Sequence, residues 1–276
     1  MTDKITFSLL TLNCFGGSNW SVARRLPTVM RELERLAPNV VCLQEVQSPL
    51  ALRLFTAASE HFSTHAFLPG LRFPFGALFT LAHGPIGEHH FIRYQDEGRW
   101  LGPTFMDRLT RKGVLVTHLQ RMPLPITVLN THLLANYGAN WQADSRPALA
   151  QQRQLQQLAA IVRKQSEDTL VLVAGDFNIP RGCWLYKEFI ERSGLADPLA
   201  GDERPTYRPF PGVPARYALP IDFVFLRTPP GLTVEVETAL RFVDQVPYVG
   251  GGTGYLSDHL GVQVTLRWVT PGLHRP

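Results

Sequence analysis

The sequence is poor in cysteine and has no long apolar run. Its 276 residues include three cysteines, Cys14, Cys42 and Cys183. Because this number is odd and the spacing is irregular, we exclude a disulfide framework and a zinc ribbon. Cys14 and Cys42 lie in apolar runs and are predicted to be small core residues. Since no apolar run approaches the roughly 20 residues that a membrane span needs, we expect no transmembrane segment.

A leader sequence and an internal linker are also missing. The first residues, MTDKITFSLLTLN, lack a basic region followed by a long apolar stretch and a small-residue cleavage site. We therefore expect no signal peptide and a cytoplasmic location. No linker rich in proline and serine divides the chain, and no repeat of solenoid length occurs in it. These absences favour a single domain over residues 1–276, which we expect to be a monomer without an obligate protein partner.

The composition is that of a globular protein with many turns. Apolar residues make up 45% of the chain, enough for a packed core, and there are 22 prolines and 22 glycines. The formal net charge is +4 and the isoelectric point is about 9.1. This mild excess of positive charge suits an anionic substrate. It does not by itself indicate nucleic-acid binding, which usually shows a concentrated basic patch.

Strands dominate the predicted secondary structure, with a few helices between them. Apolar residues at helical spacing predict helices over Val22–Leu36 and Arg146–Lys164. Runs rich in apolar and β-branched residues predict the strands Ile5–Leu12, Asn39–Leu43, Phe75–Leu81, Gly113–Leu119, Ile126–Asn130, Leu170–Ala174, Ile221–Leu226, Val234–Thr238 and Val262–Trp268. We interpret Thr206–Leu219 as an ordered loop and the glycine-rich Tyr248–Tyr255 as a mobile one. Two sheets packed face to face and covered by helices would fit this order.

Polar side chains follow the strong apolar strands, where a rigid sheet edge can present them to a substrate. They are Asn13 after ITFSLLTL, Glu45 after VVCLQ, His132 after ITVLNT, Asp176 and Asn178 after LVLVAG, and Asp258 and His259 after the glycine loop. An acidic residue after a strand is usually only a cap or turn residue. The prediction of a functional site therefore depends on all of these clusters occurring together.

Phosphodiester hydrolysis needs such a set of side chains. A hard cation such as Mg²⁺ binds carboxylate oxygens and keeps several waters, and it neutralises a phosphate oxygen and the charge that develops in the reaction. A base must deprotonate the attacking water, and histidine suits this near neutral pH. A second carboxylate must orient that histidine. The pattern thus predicts a phosphodiesterase that depends on a divalent metal, Mg²⁺ or Mn²⁺.

Six motifs carry a resemblance to a known superfamily. LTLNCFGG, LQEV, NTHLLANY, GDFNIP, PIDFVF and LSDHLG occur in the order seen in the endonuclease/exonuclease/phosphatase superfamily and span roughly residues 5–266. The resemblance implies a four-layer α/β sandwich, with two packed mixed β-sheets flanked by helices and the site at one end of both sheets.

The resemblance also implies which residues bind the metal and which act as the base. Glu45 would be the principal metal ligand, with Asn13 beside it and Asp258 facing the metal region. His259 would be the general base, oriented by Asp222 of PIDFVF.

Three further residues would act on the substrate. Asp176 and Asn178 would align the nucleophilic water and the phosphate. His132 would stabilise the pentacovalent phosphorus and help to protonate the leaving group. Because members of the superfamily differ in which residue is the base, Asp176 remains an alternative to His259.

Three segments resemble the neutral sphingomyelinases of this superfamily. The run from Asp107 to Lys112-Gly113 is similar to their Asp-x-Leu-x-x-Lys-Gly segment, LNCFG to their Leu-Asn-Cys-Trp-Gly start, and THLLANYG to their THL-x-A segment. The resemblance implies that Asp107 and Lys112 lie near the site. Lys112 would supply positive charge to a phosphate, although a solvated lysine at a strand end would look the same in the sequence. A lipid headgroup is the substrate that these features favour.

Other substrates stay open. Bacterial sphingomyelinases are exported, and no clear apolar hairpin for membrane insertion stands out here, although Phe73–Phe75 and Phe210-Pro211 are candidates. A nuclease would show basic residues interleaved with aromatics along a groove. The candidates for that groove are Arg24, Arg25, Arg181, Arg204, Arg208 and Arg216, with Trp20, Trp141 and Trp184. Another small phosphoester and a catalytically inactive binding module are the remaining alternatives.

Overall fold

The computed structural model describes residues 4–17, 22–57, 59–96 and 105–269, with side chains in the last range from residue 108 onward. The helices of this part of the chain are α1 (Val22–Leu36), α2 (Pro49–Thr56), α3 (Phe105–Thr110), α4 (Arg146–Arg163) and α5 (Trp184–Ser193). The strands are β1 (Lys4–Asn13), β2 (Val40–Gln44), β3 (Thr64–Ala66), β4 (Phe79–Ala82), β5 (Ile86–Arg93), β6 (Gly113–Leu119), β7 (Ile126–His132), β8 (Leu170–Asp176), β9 (Asp222–Arg227), β10 (Glu235–Arg241), β11 (Val246–Pro247), β12 (Thr253–Gly254) and β13 (Gly261–Val269).

Two large mixed sheets form the centre of the fold. The first has the strand order β10-β13-β1-β2-β4-β3, and the second has the order β5-β6-β7-β8-β9. Each sheet contains one parallel pair, β1 with β2 and β7 with β8, and the other neighbouring strands are antiparallel. The strands β11 and β12 make a separate short hairpin.

The alternation of side chains along the strands builds the layers. On β1, Phe7 and Leu9 pack between the two sheets, whereas Leu10 and Leu12 pack on the opposite face with α1 and α2. The outer face of β8 packs in the same way against α4 and α5. The order helices, sheet, sheet, helices confirms the predicted four-layer α/β sandwich.

The predicted elements agree with the structure in most places. The bounds of α1 and β6 are those expected, and Cys14 and Cys42 are buried core residues as predicted. The predicted strand Phe75–Leu81 is wrong in its first half, because a short 3-10 turn occupies Phe75–Ala77 and β4 begins only at Phe79. Gly76 in that turn has φ +69°, which an extended strand does not allow.

None of the described helices is suited to crossing a bilayer. Several elements of the structure were not predicted from the sequence. The helices α2 and α5 are short, and β5 carries the polar run Glu88-His89-His90, which lacks the alternation of a half-buried strand. The segment interpreted as a mobile loop, Tyr248–Tyr255, contains strand β12.

The layer between the sheets is apolar along most of its length and becomes polar at one end. On β1 the inward positions continue from Phe7 and Leu9 to Thr11 and Asn13. At the same level Gln44 donates to Asn130 Oδ1 (2.8 Å), which joins β2 of the first sheet to β7 of the second. All of these polar side chains are buried. This polar end is where the predicted site residues meet.

Candidate active site

Three predicted site residues lie side by side on the second sheet. His132 is paired in register with Asp176, and Asp176 is paired with Asp222, across β7, β8 and β9. His132 Nε2 lies 3.3 Å from Asp176 Oδ2. Because paired residues of neighbouring strands point to the same face, the register alone brings these side chains into one row.

The first sheet contributes Asn13, which faces this row. Asn13 Nδ2 donates to Asp176 Oδ2 at 3.0 Å and to Glu45 Oε1 at 3.1 Å. It also lies 3.5 Å from His259 Nε2. A single amide thus links the candidate ligand Glu45 to the second sheet.

His259 completes the cluster from the segment before β13. Its Nδ1 lies 2.9 Å from Asp222 Oδ2, and its Nε2 lies 3.8 Å from Asp176 Oδ2. Ser257 supports this segment, because its hydroxyl donates to Asn13 O (2.6 Å) and accepts from His259 N (3.1 Å).

The expectation that every site residue follows the end of a strand is only partly right. Asn13, His132 and Asp176 are the last residues of their strands, and Glu45 comes one residue after β2. Asp222 instead begins β9, and Asp258 and His259 precede β13. Since β9 and β13 are antiparallel to β8 and β1, their starts lie at the same edge as the ends of those strands.

Backbone geometry places Asn178 and Glu45. Asn178 has φ +51° and Glu45 has φ +59°, conformations that non-glycine residues adopt at a cost. The backbone nitrogen of Asn178 donates to Asp176 Oδ1 (3.0 Å), and its side-chain Nδ2 donates to Leu133 O (3.2 Å). The backbone carbonyl of Glu45 accepts from Gly16 N (3.0 Å).

The electrostatics of the two histidines are opposite. Burial, together with the positive charge of Lys112 and His259, holds the pKa of His132 well below its usual range. Burial also opposes the charged form of His259, but Asp222, Asp176 and Asp258 outweigh it and raise its pKa well above the usual value. His132 is therefore the neutral imidazole of the cluster and His259 the one that its neighbours favour as a cation.

Two of the carboxyl groups are destabilised as anions. Burial raises the pKa of Asp176 to about 7. The charge of His259 lowers this pKa, and the charge of Asp222 raises it. Burial and the nearby charge of Asp258 raise the pKa of Glu45, while Lys112 and the hydrogen bond from Asn13 lower it. Negative charge is therefore crowded at this end of the sheets.

Lys112 is not a solvated strand-end lysine. Only 1% of it is exposed, and its charge acts on Glu45, His132 and Asp176. The interpretation of Lys112 as a solvated residue is therefore wrong. The side chain of Asp107, the other residue of that segment, lies outside the described part of the chain.

A comparison with known families decides the classification. The model of the endonuclease/exonuclease/phosphatase family matches residues 10–259. The chain belongs to this family. Members of the family are hydrolases that act on phosphoesters with divalent metals. No curated protein sequence matches the chain.

Solved structures share the fold of this family member. The chain is similar to the crystal structure of SmcL (16% identity, TM-score 0.75, covering 96% of this chain and 99% of that one). It is similar to sphingomyelinase C from Streptomyces griseocarneus (20% identity, TM-score 0.67, 95% and 99% covered). It is also similar to D. rerio TDP2 complexed with a single-strand DNA product (17% identity, TM-score 0.71, 95% and 98% covered).

The described side chains of this family member fit a divalent cation in two ways. Asp176, Asp222 and His259 each offer a ligand atom, and these atoms lie within 4.8 Å of one another. Alternatively, Glu45 and Asp258 are partly exposed beside Asn13, and the repulsion between the two carboxylates is what a cation would relieve. Both sets consist of the oxygen and imidazole donors that divalent metals use.

Most of the arginines considered for a nucleic-acid groove have structural contacts. Arg181 pairs with Asp197 at 2.8 Å in a buried site, and Arg204 pairs with Asp202. Arg25 donates to the backbone carbonyl of Leu256, and Arg208 donates to that of Ser257. Of the six candidates, this leaves Arg24 and Arg216 exposed without such contacts among the described residues.

The tryptophans next to the motif loops pack inward. Trp141 Nε1 donates to Asn178 O (3.3 Å), and Trp184 Nε1 donates to Trp141 O (2.5 Å). Both pack against the core under the second sheet. This supports the interpretation that they pack under a loop; Trp20 lies outside the described residues.

Sequence reasoning missed the residues that support the site from behind. Thr206 Oγ1 accepts from the backbone nitrogens of Ile221 and Asp222, both at 3.0 Å. Gln151 Nε2 donates to Leu134 O and Asn178 O, both at 2.8 Å, and so joins the loops after β7 and β8. No spacing in the sequence marks these contacts. Asn130, the buried partner of Gln44, is the exception. The two-residue period of β7 places it on the same face of the strand as His132, and the sequence shows that period.

Proposed function

We propose that this chain is a phosphodiesterase of a single domain that depends on a divalent metal, Mg²⁺ or Mn²⁺. The observation that carries the proposal is the position of His259 between Asp222 and Asp176, opposite Asn13 and Glu45. This arrangement unites a base, a carboxylate that orients it, and acidic metal ligands at one buried edge.

His259 is the proposed general base. Its Nδ1 is engaged by Asp222 at 2.9 Å, which fixes the ring and leaves Nε2 facing Asp176 and Asn13. A water held by Asp176 and Asn178 would give its proton to Nε2 as it attacks the phosphorus, while the ester P–O bond breaks and the leaving oxygen takes up a proton from solvent. Asp222 then stabilises the imidazolium that forms. Asp176 remains the alternative base, since its raised pKa of about 7 also suits proton transfer near neutral pH.

His132 and Lys112 would act on the phosphate. His132 is buried and neutral, so its Nε2–H, which lies 3.3 Å from Asp176 Oδ2, could donate to a phosphate oxygen without adding charge. Lys112, which is buried and whose charge acts on Glu45 and Asp176, would offset the negative charge of the site and of the substrate. We propose electrostatic support rather than a surface contact for this lysine.

Glu45 and Asp258 are the proposed metal ligands, with Asn13 beside them. Asn13 could ligate only through Oδ1, which accepts from Phe15 N (3.1 Å) while Nδ2 faces Glu45. A cation held there would neutralise a non-bridging phosphate oxygen. Glu45 and Asp258 are partly exposed, so a bound cation could keep the waters that Mg²⁺ usually retains. Asp222 is 0% exposed and its Oδ2 is engaged with His259, which supports an orienting function. Its Oδ1 has no partner among the described atoms and is the oxygen that a cation in the alternative set would contact.

A lipid headgroup is the substrate that the surroundings of the site support. Phe210, 50% exposed, contacts the ring of Phe15 (centroids 5.8 Å apart), and Phe15 lies two residues after Asn13. Val213, whose backbone nitrogen donates to Phe210 O, and Tyr255, whose ring lies under Arg208, are also exposed. An apolar rim beside a phosphate site suits a substrate with a hydrocarbon part. The structural engagement of Arg25, Arg181 and Arg208 argues against an open basic groove.

A parallel assay tests both the phosphodiesterase activity and the choice of a lipid substrate. The purified chain would be incubated with Mg²⁺ or Mn²⁺ and bis-p-nitrophenyl phosphate, sphingomyelin vesicles, supercoiled and abasic DNA, or inositol phosphates, with His259→Ala as the inactive control. We expect hydrolysis of the generic diester and of sphingomyelin. Cleavage of DNA without sphingomyelin would replace the lipid assignment by a nuclease. No hydrolysis of any substrate would favour a binding module.

A further inference from the structure

Two arginine side chains, Arg25 and Arg208, donate to backbone carbonyls around the Asp258–His259 segment. Arg25 of α1 donates through Nη1 to Cys14 O and Leu256 O, both at 2.6 Å, and through Nη2 to Phe15 O. Only 3% of Arg25 is exposed. One guanidinium therefore connects the loop after Asn13 to the residue that begins the LSDH segment.

Arg208 contacts the same segment from the loop before β9, next to Tyr207, which forms a β-bridge with His259. Its Nη1 donates to Ser257 O (3.1 Å) and His259 O (3.4 Å), and its Nη2 donates to Phe242 O (2.5 Å) and Val243 O (2.7 Å). Its backbone nitrogen donates to Asp258 O at 2.7 Å. Tyr255 covers the guanidinium, with the ring centroid 4.3 Å away.

These contacts use a property that only arginine has. The guanidinium is a rigid planar fork with five N–H donors, so it can bind several carbonyls at once in fixed directions. Carbonyls of Leu256, Ser257, Asp258 and His259 are all occupied by the two arginines, counting the backbone contact of Arg208. The segment that carries a proposed metal ligand and the proposed base thus has little freedom to move.

We propose that Arg25 and Arg208 are positioning residues, which set the metal affinity and the rate of the site by fixing Asp258 and His259 through their backbone. This inference rests on the proposed function of the site. Partners behind metal ligands typically change metal affinity or activity by about 10–100-fold when they are removed. Neither arginine needs to contact the substrate or the metal to have this effect.

The chain contains a matched control for both residues. Arg227, the last residue of β9, donates to Val162 O (3.3 Å), Gln165 O (3.0 Å) and Ser166 O (2.9 Å). It therefore makes the same kind of carbonyl contacts, but at the opposite end of the strand from Asp222. Its loss would lower the stability of the fold without disturbing the site.

The experiment compares Arg25→Gln, Arg208→Gln and Arg227→Gln. Mn²⁺ binding is measured by calorimetry without substrate, kcat and KM with bis-p-nitrophenyl phosphate at saturating Mn²⁺, and stability by thermal unfolding without metal. We expect the first two variants to bind Mn²⁺ about tenfold or more weakly and to lose kcat with little change in KM. Arg227→Gln should lose stability only. Arg25→Lys and Arg208→Lys, which keep the charge but not the fork, serve as milder variants if a glutamine variant does not fold.

The possible failures are distinct. Wild-type Mn²⁺ affinity and kcat in the Arg25 and Arg208 variants would overturn the positioning proposal alone. A loss of the same size in Arg227→Gln would also overturn it, because the effect would then follow from stability. A wild-type chain that binds no Mn²⁺ would overturn the proposed function first, and the positioning of a metal ligand with it.

Discussion

Asp222 Oδ2 and His259 Nδ1 lie 2.9 Å apart, although 37 residues separate them in the chain. The contact joins the start of β9 in the second sheet to the segment before β13 in the first. Because Asp222 accepts from Nδ1, the nitrogen that takes up and releases a proton is Nε2, which accepts one whenever the imidazole is neutral. The relationship therefore decides the chemistry that the imidazole can perform.

Replacing Asp222 by asparagine should lower the rate and shift its pH dependence. We expect kcat to fall on the order of 10²-fold, since the base loses its orientation. The raised pKa of His259 depends on Asp222, so without this charge the imidazole becomes neutral at lower pH. The acid limb of the pH–rate profile should therefore move to lower pH. Asp202→Asn, which removes a surface carboxylate paired with Arg204, is the control, and an unchanged profile in Asp222→Asn would contradict the pairing.

The two possible metal arrangements give different results for two variants. If Glu45 is the principal ligand, Glu45→Gln should raise the Mg²⁺ requirement by about tenfold or more, whereas Asp222→Asn should leave it nearly unchanged. The measurement is activity against Mg²⁺ concentration, together with Mn²⁺ calorimetry. The reverse result would place the ion among Asp176, Asp222 and His259.

Metal binding should stabilise the protein more at higher pH. The pKa values of Glu45 and Asp176 are raised in the folded chain, that of Asp176 to about 7, so protons compete with the cation at acidic pH. Asp176, which belongs to one candidate ligand set and contacts Asn13 of the other, loses its proton as the pH rises through about 7, so the site gains negative charge for the cation. We expect the increase in Tm caused by saturating Mn²⁺ to be larger at pH 8 than at pH 6, measured by differential scanning fluorimetry. The increase should shrink in Glu45→Gln; an equal increase at both pH values in the wild type would contradict the assignment.

The site residues were predictable because they lie within short motifs. The face of the sheet to which each side chain points followed from the two-residue period of the strands. Each motif places its residue at a strand terminus from local sequence, and the register of β7, β8 and β9 then brings His132, Asp176 and Asp222 into one row. The same holds for the four layers, since apolar strands and amphipathic helices alternate along the chain. These parts of the structure depend on local pattern.

The functions of the arginines were not predictable, because they depend on tertiary contacts. In the sequence Arg25 and Arg208 resemble any basic residue near a site, and they were interpreted as candidates for a nucleic-acid groove. Their actual partners are backbone carbonyls, which every residue type offers and which no spacing marks. Strand β5 was not predicted for a related reason. It is an edge strand of the second sheet, so its side chains are not buried and it lacks the apolar pattern of the central strands.

Gly175 of the GDFN motif should tolerate no side chain. Its φ is +152°, and a Cβ would come within 1.9 Å of Thr131 O on the neighbouring strand β7. We expect Gly175→Ala to destabilise the fold by about 3 kcal/mol or more, because β7 and β8 would have to separate. Gly182→Ala is the control, since φ is +82° there but nothing lies near the added Cβ, and about 1 kcal/mol is expected. Urea unfolding measures both, and equal losses would show that the close approach of β7 is unimportant.

The apolar rim should affect lipid substrates alone. We expect Phe210→Ser to lower the hydrolysis of sphingomyelin in vesicles several-fold and to leave that of bis-p-nitrophenyl phosphate unchanged, because the rim contacts only a hydrocarbon part. Val236→Ser on β10 removes a similarly exposed apolar side chain far from the site and serves as the control. A parallel loss on both substrates would assign Phe210 to the structure of the site.

The pairing of β1 with both β2 and β13 has a consequence for how the protein is made. The second sheet comes from one continuous stretch, Ile86–Arg227, whereas the first needs the strands at either end of the described chain, paired from Lys4 with Val269 to Thr11 with Val262. During synthesis the second sheet can assemble while β1 still lacks one of its two neighbours. His259 reaches Asp222 only after β13 leaves the ribosome. Catalytic competence should thus arise only once residues 261–269 are available to pair with β1.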